Sequence, residues 1–493
     1  MPASFLFYDL ETFGADPRRS RIAQFAAIRT DIDLNPIEEP YDILVRPADD
    51  LLPSPIATLI TGIEPQRALR DGVIEAEAFA RIFEAMSVPE TCALGYNSLR
   101  FDDEFVRFGL YRHFYDPYER EWRGGNSRWD LLDVMRMACA LRPEGLHWPL
   151  RENGSPSFKL EHLADANDVR IGDAHEALSD VRALIGLARK LKRSQPKLWE
   201  YALRLRDKRY AARLLDTVAM TPVLHISQRF PASRFCAAAV APLTRHPTID
   251  NRVVVYDLDE PPDALLALEP DEILDRLYTP AADLPPGVAR IPLKEVHLNR
   301  SPILVEWAHV RGEELERLRI DPERVHAHAE RLRAAGPALA EKIRRVYAGR
   351  PPQAAIDADG ALYDGFLPDA DRKRFPDIRS ASPQVLREAG DFGLHDPRLR
   401  ELLFRYRARN WPESLDASEA EHWRAYRRQR LYEDRGLSEY TFERYRTEID
   451  ALRVAHADDG RAQRLLDSLD AWANQLKTDL GPDTRTHLEH ASP

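Results

Sequence analysis

The chain has 493 residues, of which 44% are hydrophobic and 31% charged, and a formal net charge of −11. That length suits roughly three domains at about 100–200 residues each, and the apolar content excludes a disordered chain. No apolar run approaches the ~18–20 residues of a membrane span, and the opening Met-Pro-Ala-Ser-Phe-Leu-Phe-Tyr-Asp lacks the basic start of a signal peptide. Cys92, Cys139 and Cys236 are too scattered for a disulfide framework or a zinc cluster. They read as buried thiols of a cytoplasmic protein. The net negative charge argues against nucleic acid as a partner, an expectation that the regional distribution of charge must test.

Strand and helix patterns alternate over the first 195 residues. Strands are predicted at 5–12, 22–30, 41–45 and 91–96, and helices at 75–86, 102–114, 129–141, 158–166 and 174–191. This is the texture of an α/β domain with a mixed sheet. A charged stretch closed by Pro196 marks its end. Residues 196–349 form a second unit. Its short runs at 221–227, 234–241, 251–258 and 297–305 are rich in Val, Ile and aromatics and read as a small β-domain. Residues 350–479 are helical and Arg-rich, and 480–493 read as a flexible tail.

The chemistry concentrates in the first unit. Asp9 and Glu11 stand two apart in a predicted strand and so share a face. Adjacent carboxylates repel, and each resists ionisation. A hard divalent cation turns that repulsion into binding, although two acids at a strand end can also simply face water. Asp102, Asp103 and Glu104 follow the strand at 91–96, where acids also suit a helix N-terminus. Asp173 and Glu176 have the spacing of a capping box. Asp180 is bracketed by the apolar stripe of the helix predicted at 174–191. A buried acid needs a partner or a metal. His175 lies about 140° from Asp180 around that helix and must reach the site from the first turn or the preceding loop.

The ordered set, Asp-x-Glu on a strand, an Asp after a later strand and His-x4-Asp on a late helix, resembles the DEDD exonuclease superfamily in its histidine-containing subgroup. Longer strings are similar to the exodeoxyribonuclease I family of bacteria: Asp9-Leu-Glu-Thr-Phe-Gly14, Arg100-Phe-Asp-Asp-Glu104, Asn126-Ser-Arg-Trp-Asp-Leu-Leu-Asp-Val-Met-Arg136 and Leu402-Leu-Phe-Arg-Tyr-Arg-Ala-Arg-Asn410. The resemblance implies an RNase H-like exonuclease domain, an SH3-like β-barrel domain and a C-terminal helical domain. It implies processive 3′→5′ degradation of single-stranded DNA to 5′-mononucleotides, in DNA repair and recombination. By the same resemblance, Asp9, Glu11, Asp102 and Asp180 hold two Mg²⁺ ions, with Mn²⁺ the alternative. His175 is then the general base, and Asp102 is preferred over Asp103. The resemblance further implies a monomer that binds the acidic, Phe-ended tail of single-stranded DNA-binding protein through Arg142, Tyr201 and Arg311.

The segment 398–430 holds nine arginines, five acids and no lysine, so it is positive within an acidic chain. Arg405, Arg407 and Arg409 alternate with Phe404, Tyr406 and Trp411. Arginine with aromatics suits a groove for single-stranded nucleic acid, and equally a helix face with internal ion pairs. The resemblance favours DNA contact. Phe13, Tyr96 and Trp129 are candidates to stack on terminal bases, set against core packing. Two other functions stay open: an RNA-trimming nuclease, since no residue is seen to read the 2′-OH, and an inactive recruitment protein on a nuclease fold, which the complete acid set disfavours.

Overall fold

The computed structural model describes residues 2–170, 172, 176–348, 354–433 and 435–481. Two five-stranded sheets organise it. The first has the order β3-β2-β1-β4-β5, built from β1 (Ser4–Thr12), β2 (Ile22–Thr30), β3 (Tyr41–Leu44), β4 (Thr91–Gly95) and β5 (Ser127–Asp130). β1 is antiparallel to β2 and parallel to β4. Its side chains alternate between two cores. Phe5 and Phe7 pack in one with Leu131, Val181 and Leu184. Leu6, Tyr8 and Leu10 pack in the other with Phe79, Ile82 and Val106. A strand buried on both faces reads as the near-continuous apolar run seen at its start.

The predicted helix at 129–141 is a strand followed by a helix. Trp129 and Asp130 complete β5, and Asp130 caps the helix Leu131–Leu141 by accepting the Leu132 amide at 3.0 Å. Apolar periodicity alone did not separate a four-residue buried strand from the helix it abuts. The late helix also starts later than 174, at Ala177, with Glu176 at its N-cap. Asp173, the other half of the expected capping box, lies outside the described residues.

The second sheet is antiparallel in the order β10-β6-β7-β8-β9, from β6 (Val223–Ile226), β7 (Ala237–Arg245), β8 (Arg252–Asp257), β9 (Leu293–His297) and β10 (Ile303–Glu306). The single run expected at 297–305 is thus two strands at opposite edges of one sheet. Only residues 298–302 join them. At about 3.3–3.6 Å per residue that link is short, so the sheet must curl its edges toward each other.

The C-terminal helices dock on the first sheet through buried charge. Asp359 accepts both Arg409 amino groups at 2.8 and 2.6 Å and Arg405 at 2.9 Å. Arg21 and Arg112, from the first unit, stand 3.5 and 3.6 Å away. Burial alone would raise the Asp359 carboxyl, but Arg409, Arg405 and Arg21 hold it well below the usual carboxylate range. Removing one partner of a buried ion network costs roughly 3–5 kcal/mol. Asp359→Ala is therefore expected to lose about that much in denaturant unfolding, whereas the exposed Asp369→Ala should change stability by less than about 1 kcal/mol.

Candidate active site

β4 pairs with β1 only from Ser4 to Phe7. Asp9 and Glu11 lie beyond that pairing, where β1 is hydrogen-bonded to β2 alone. This is the crevice past the carboxyl ends of parallel strands, where open α/β sheets place their ligands. Asp180 enters from the first turn of the helix Ala177–Ser194, which packs on β1 and β2. Ligand oxygens of Asp9, Glu11 and Asp180 all fall within 4.8 Å of one another. They line a cleft of about 530 Å³ with Tyr96, Arg136 and Lys159.

Asp102 starts the helix Asp102–Arg112, reached from β4 by a tight turn at Asn97, whose φ is +66°. Asn tolerates that left-handed conformation. Asp130 fixes the turn by accepting the Asn97 and Leu99 amides. It is a positioning residue missed in the sequence, where an Asp directly before an apolar helical run was the available signal. Asp102 stands outside the 4.8 Å group, but its charge acts on both Asp9 and Glu11. Asp103 has another occupation. It accepts Arg120 at 2.5 Å, Arg128 at 2.6 Å and the Tyr8 hydroxyl at 2.8 Å. Those arginines outweigh its burial and hold it well below the usual range.

Asp9, Glu11 and Asp102 titrate the other way. Burial, then the charges of Asp102, Glu11 and Asp180, push Asp9 well above the usual carboxylate range. Burial and the charges of Asp180 and Asp102 push Glu11 up to about 8. Asp102 is raised to about 8, chiefly by burial. These three carboxylates, with that of Asp180 beside them, form the donor set a hard divalent cation takes. His175 lies outside the described residues.

The candidate DNA contacts fare unevenly. Tyr96 is half-buried on the cleft, its hydroxyl donating to the Phe158 carbonyl at 2.6 Å. Phe13, 2% exposed, packs on Leu51 and Ile63 instead of meeting a base. Trp129 has no exposed surface and meets Trp199 edge-on at 4.8 Å. The three arginines are corrected as well, because their charge is spent inside the fold. Arg405 and Arg409 bind Asp359, and Arg407 binds Glu419 at 2.7 and 2.8 Å. Their aromatic neighbours serve the same interior, with Arg405 stacked 4.0 Å from the Tyr426 ring.

Other residues provide the open surface. A mainly basic cavity lined by Arg100, Arg229, Lys294 and Arg300, with Asp133 and Glu295 also on its wall, shares Gln228 with the acidic cleft. Burial lowers Lys294 to about 7. Farther along, Tyr118, Trp122, Tyr363 and Phe366 line an apolar groove of about 600 Å³, with Trp122 and Phe366 largely exposed. The nearness in sequence of Lys294, His297 and Arg300 was a signal for the cavity; nothing local marked the groove, which two distant segments assemble. At the remaining candidate site, Arg142 and Arg311 both bind the buried Glu314, the latter at 2.7 Å, while Tyr201 donates to the Leu304 carbonyl at 2.8 Å.

A mixed sheet with three carboxylates converging near the end of its central strand is the arrangement of a metal-dependent nuclease. Family models bear this out along the chain: Exonuclease at residues 6–188, Exonuclease I SH3-like domain at 206–349 and Exonuclease I C-terminal domain at 356–476. Exodeoxyribonuclease I of Escherichia coli K12 is 43% identical over 96% of this chain and 98% of its own length. A crystal structure of E. coli Exonuclease I in complex with a dA16 oligonucleotide matches with a TM-score of 0.92 at 42% identity, covering 96% of this chain and all of that one. A moderately thermophilic Exonuclease I from Methylocaldum szegediense matches with a TM-score of 0.92 at 47% identity, over 96% of this chain and 99% of that one. Other matching structures include a zinc-bound E. coli ExoI–ssDNA complex and an SSB/Exonuclease I complex with an inhibitor. The chain belongs to the exodeoxyribonuclease I family. Among the described residues, no helix is long and apolar enough to cross a membrane.

Raised carboxyl pKa values mean that the folded chain keeps protons the unfolded chain loses between about pH 4 and 8. Metal-free stability therefore falls as pH rises through that window. A bound divalent cation displaces those protons and relieves the mutual repulsion. The Tm in EDTA should thus be lower at about pH 8 than at about pH 5.5. Mg²⁺ should raise it more at the higher pH. Calorimetry at both pH values checks this, and equal Mg²⁺ shifts would contradict it.

Proposed function

We propose that this chain degrades single-stranded DNA processively from its 3′ end to 5′-mononucleotides, with Mg²⁺ as its working ion, in DNA repair and recombination. The observation that carries the reading is the convergence of Asp9, Glu11 and Asp180 within 4.8 Å in an open cleft, in a chain aligned with Exodeoxyribonuclease I along nearly all its length. Asp102 completes the acid set. Bound divalent cations supply charge stabilisation for the attacking and leaving oxygens of phosphodiester hydrolysis. The four carboxylates hold the cations, and His175 takes the proton of the attacking water, a role that rests on the family match. Lys159 and Arg136, on the walls of the same cleft, meet the backbone phosphates.

The path for the strand follows from adjoining cavities. The acidic cleft joins the basic cavity at Gln228. Asn299 and Ser301, flanking Arg300, line the next cavity, which shares Tyr118, Trp122 and Tyr363 with the aromatic groove. Cationic lining followed by exposed aromatics is what a backbone-tracking, base-stacking channel requires. The E. coli relatives solved with oligonucleotides support DNA as the polymer. A matched set of 3′-tailed DNA, blunt duplex and RNA, incubated with Mg²⁺, tests the reading. Mononucleotides should appear rapidly from single-stranded DNA alone, and Asp9→Ala should abolish their release. Equal or faster digestion of RNA would replace the substrate.

The SSB/Exonuclease I structure supports a partner of the same kind here. Arg142 and Arg311, which share Glu314, form the basic side of a site for an acidic, Phe-ended tail, with Tyr201 assigned to it by the family match. Arg142→Ala should weaken binding of such a peptide at least about fivefold, consistent with loss of a charge-assisted contact, while cleavage of naked DNA stays intact. Fluorescence anisotropy with a labelled peptide measures it, and unchanged affinity would move the site elsewhere.

A further inference from the structure

A cation of the chain itself reaches the acid cluster. Arg170 Nη1 donates to Asp180 Oδ1 at 3.0 Å, and its Nε donates to Asp165 Oδ1 at 3.0 Å. The guanidinium is 16% exposed and Asp180 is 12% exposed, whereas Asp165 is 64% exposed. The third nitrogen, Nη2, is buried without a hydrogen-bond acceptor among the described residues. A buried donor left unpaired is costly, so the fold does not place Arg170 there for its hydrogen bonding alone. What the side chain gains is proximity to negative charge: Asp180 lies within 4.8 Å of Asp9 and Glu11.

We infer that Arg170 is a positioning residue that acts as a built-in counter-cation for Asp180 and lowers the affinity of the carboxylate cluster for divalent cations. The inference rests on the reading of Asp9, Glu11 and Asp180 as a metal site. The guanidinium engages Oδ1 of Asp180. Its positive charge remains a few ångströms away, and an incoming divalent ion must bind against it. The tether to Asp165 lets the guanidinium withdraw onto an exposed carboxylate, where an ion pair is worth little. Arg170 thereby sets how much free cation is needed to fill the site, without touching substrate or the reacting atoms.

Mn²⁺ binding to the full DNA-free chain, followed by electron paramagnetic resonance, tests this separately from activity. Arg170→Gln removes the charge and should tighten Mn²⁺ binding roughly tenfold, the scale of one unit charge at close range in a partly hydrated site. Arg170→Lys keeps a charge there and should bind within about twofold of the unsubstituted chain. Arg170→Gln/Asp180→Asn should show no tightening. Equal or weaker Mn²⁺ binding by Arg170→Gln, in a chain whose Tm shows it folded, would overturn the inference while leaving the metal site in place. Failure of the unsubstituted chain and of every variant to bind Mn²⁺ would overturn the metal-site reading and this inference with it.

Discussion

Burying a carboxylate is tolerable only when its charge is answered, and Asp359 is answered from both sides of a domain junction. Arg405 and Arg409 reach it from the C-terminal helices, Arg21 and Arg112 from the sheet domain. Arg409 also binds Asp50, and Arg430 donates to the Asp50 carbonyl at 2.9 Å. The helical domain is therefore held against the exonuclease domain by interlocked charges instead of by a purely apolar seam. Such an interface fixes orientation, because a shift that breaks one pair strands the others. The proposed strand path runs between parts of the molecule whose spacing these pairs determine.

The catalytic cleft treats charge in the opposite way. Asp103 is neutralised by Arg120 and Arg128, and so serves structure. One residue earlier, Asp102 keeps its proton affinity high and leans on Asp9 and Glu11. Neighbours in sequence thus divide the work, one stabilising the domain and the other completing a site left unstable on purpose. That instability is what gives the cluster its appetite for cations.

Much of this was legible in the sequence where local rules suffice. β2 falls at Ile22–Thr30 as expected, and the shared face of Asp9 and Glu11 follows from strand alternation. The preference for Asp102 over Asp103 comes from the family resemblance; in the fold Asp103 is engaged by Arg120, Arg128 and the Tyr8 hydroxyl. Residue types whose role depends on distant partners were misjudged. Arg405, Arg407 and Arg409 have the composition of a nucleic-acid groove, but Asp359 and Glu419, which claim them, sit 46, 12 and 50 positions away in chain order. Trp129 and Phe13 illustrate the same limit: large aromatics near a catalytic motif more often build the core behind it. The open aromatics, Trp122 and Phe366, lie on segments that gave no local signal.

β1 is the middle strand of its sheet, and this unites two very different backbones in one site. Asp9 and Glu11 belong to a strand that lies between two apolar cores and is paired at both positions with β2 alone. Asp180 sits in the first turn of its helix, its amide donating to the Glu176 carbonyl at 3.0 Å in the first hydrogen bond of that helix. The cluster therefore joins an interior strand to the first turn of a helix, and the spacing of its carboxylates depends on how that helix packs on β1 and β2.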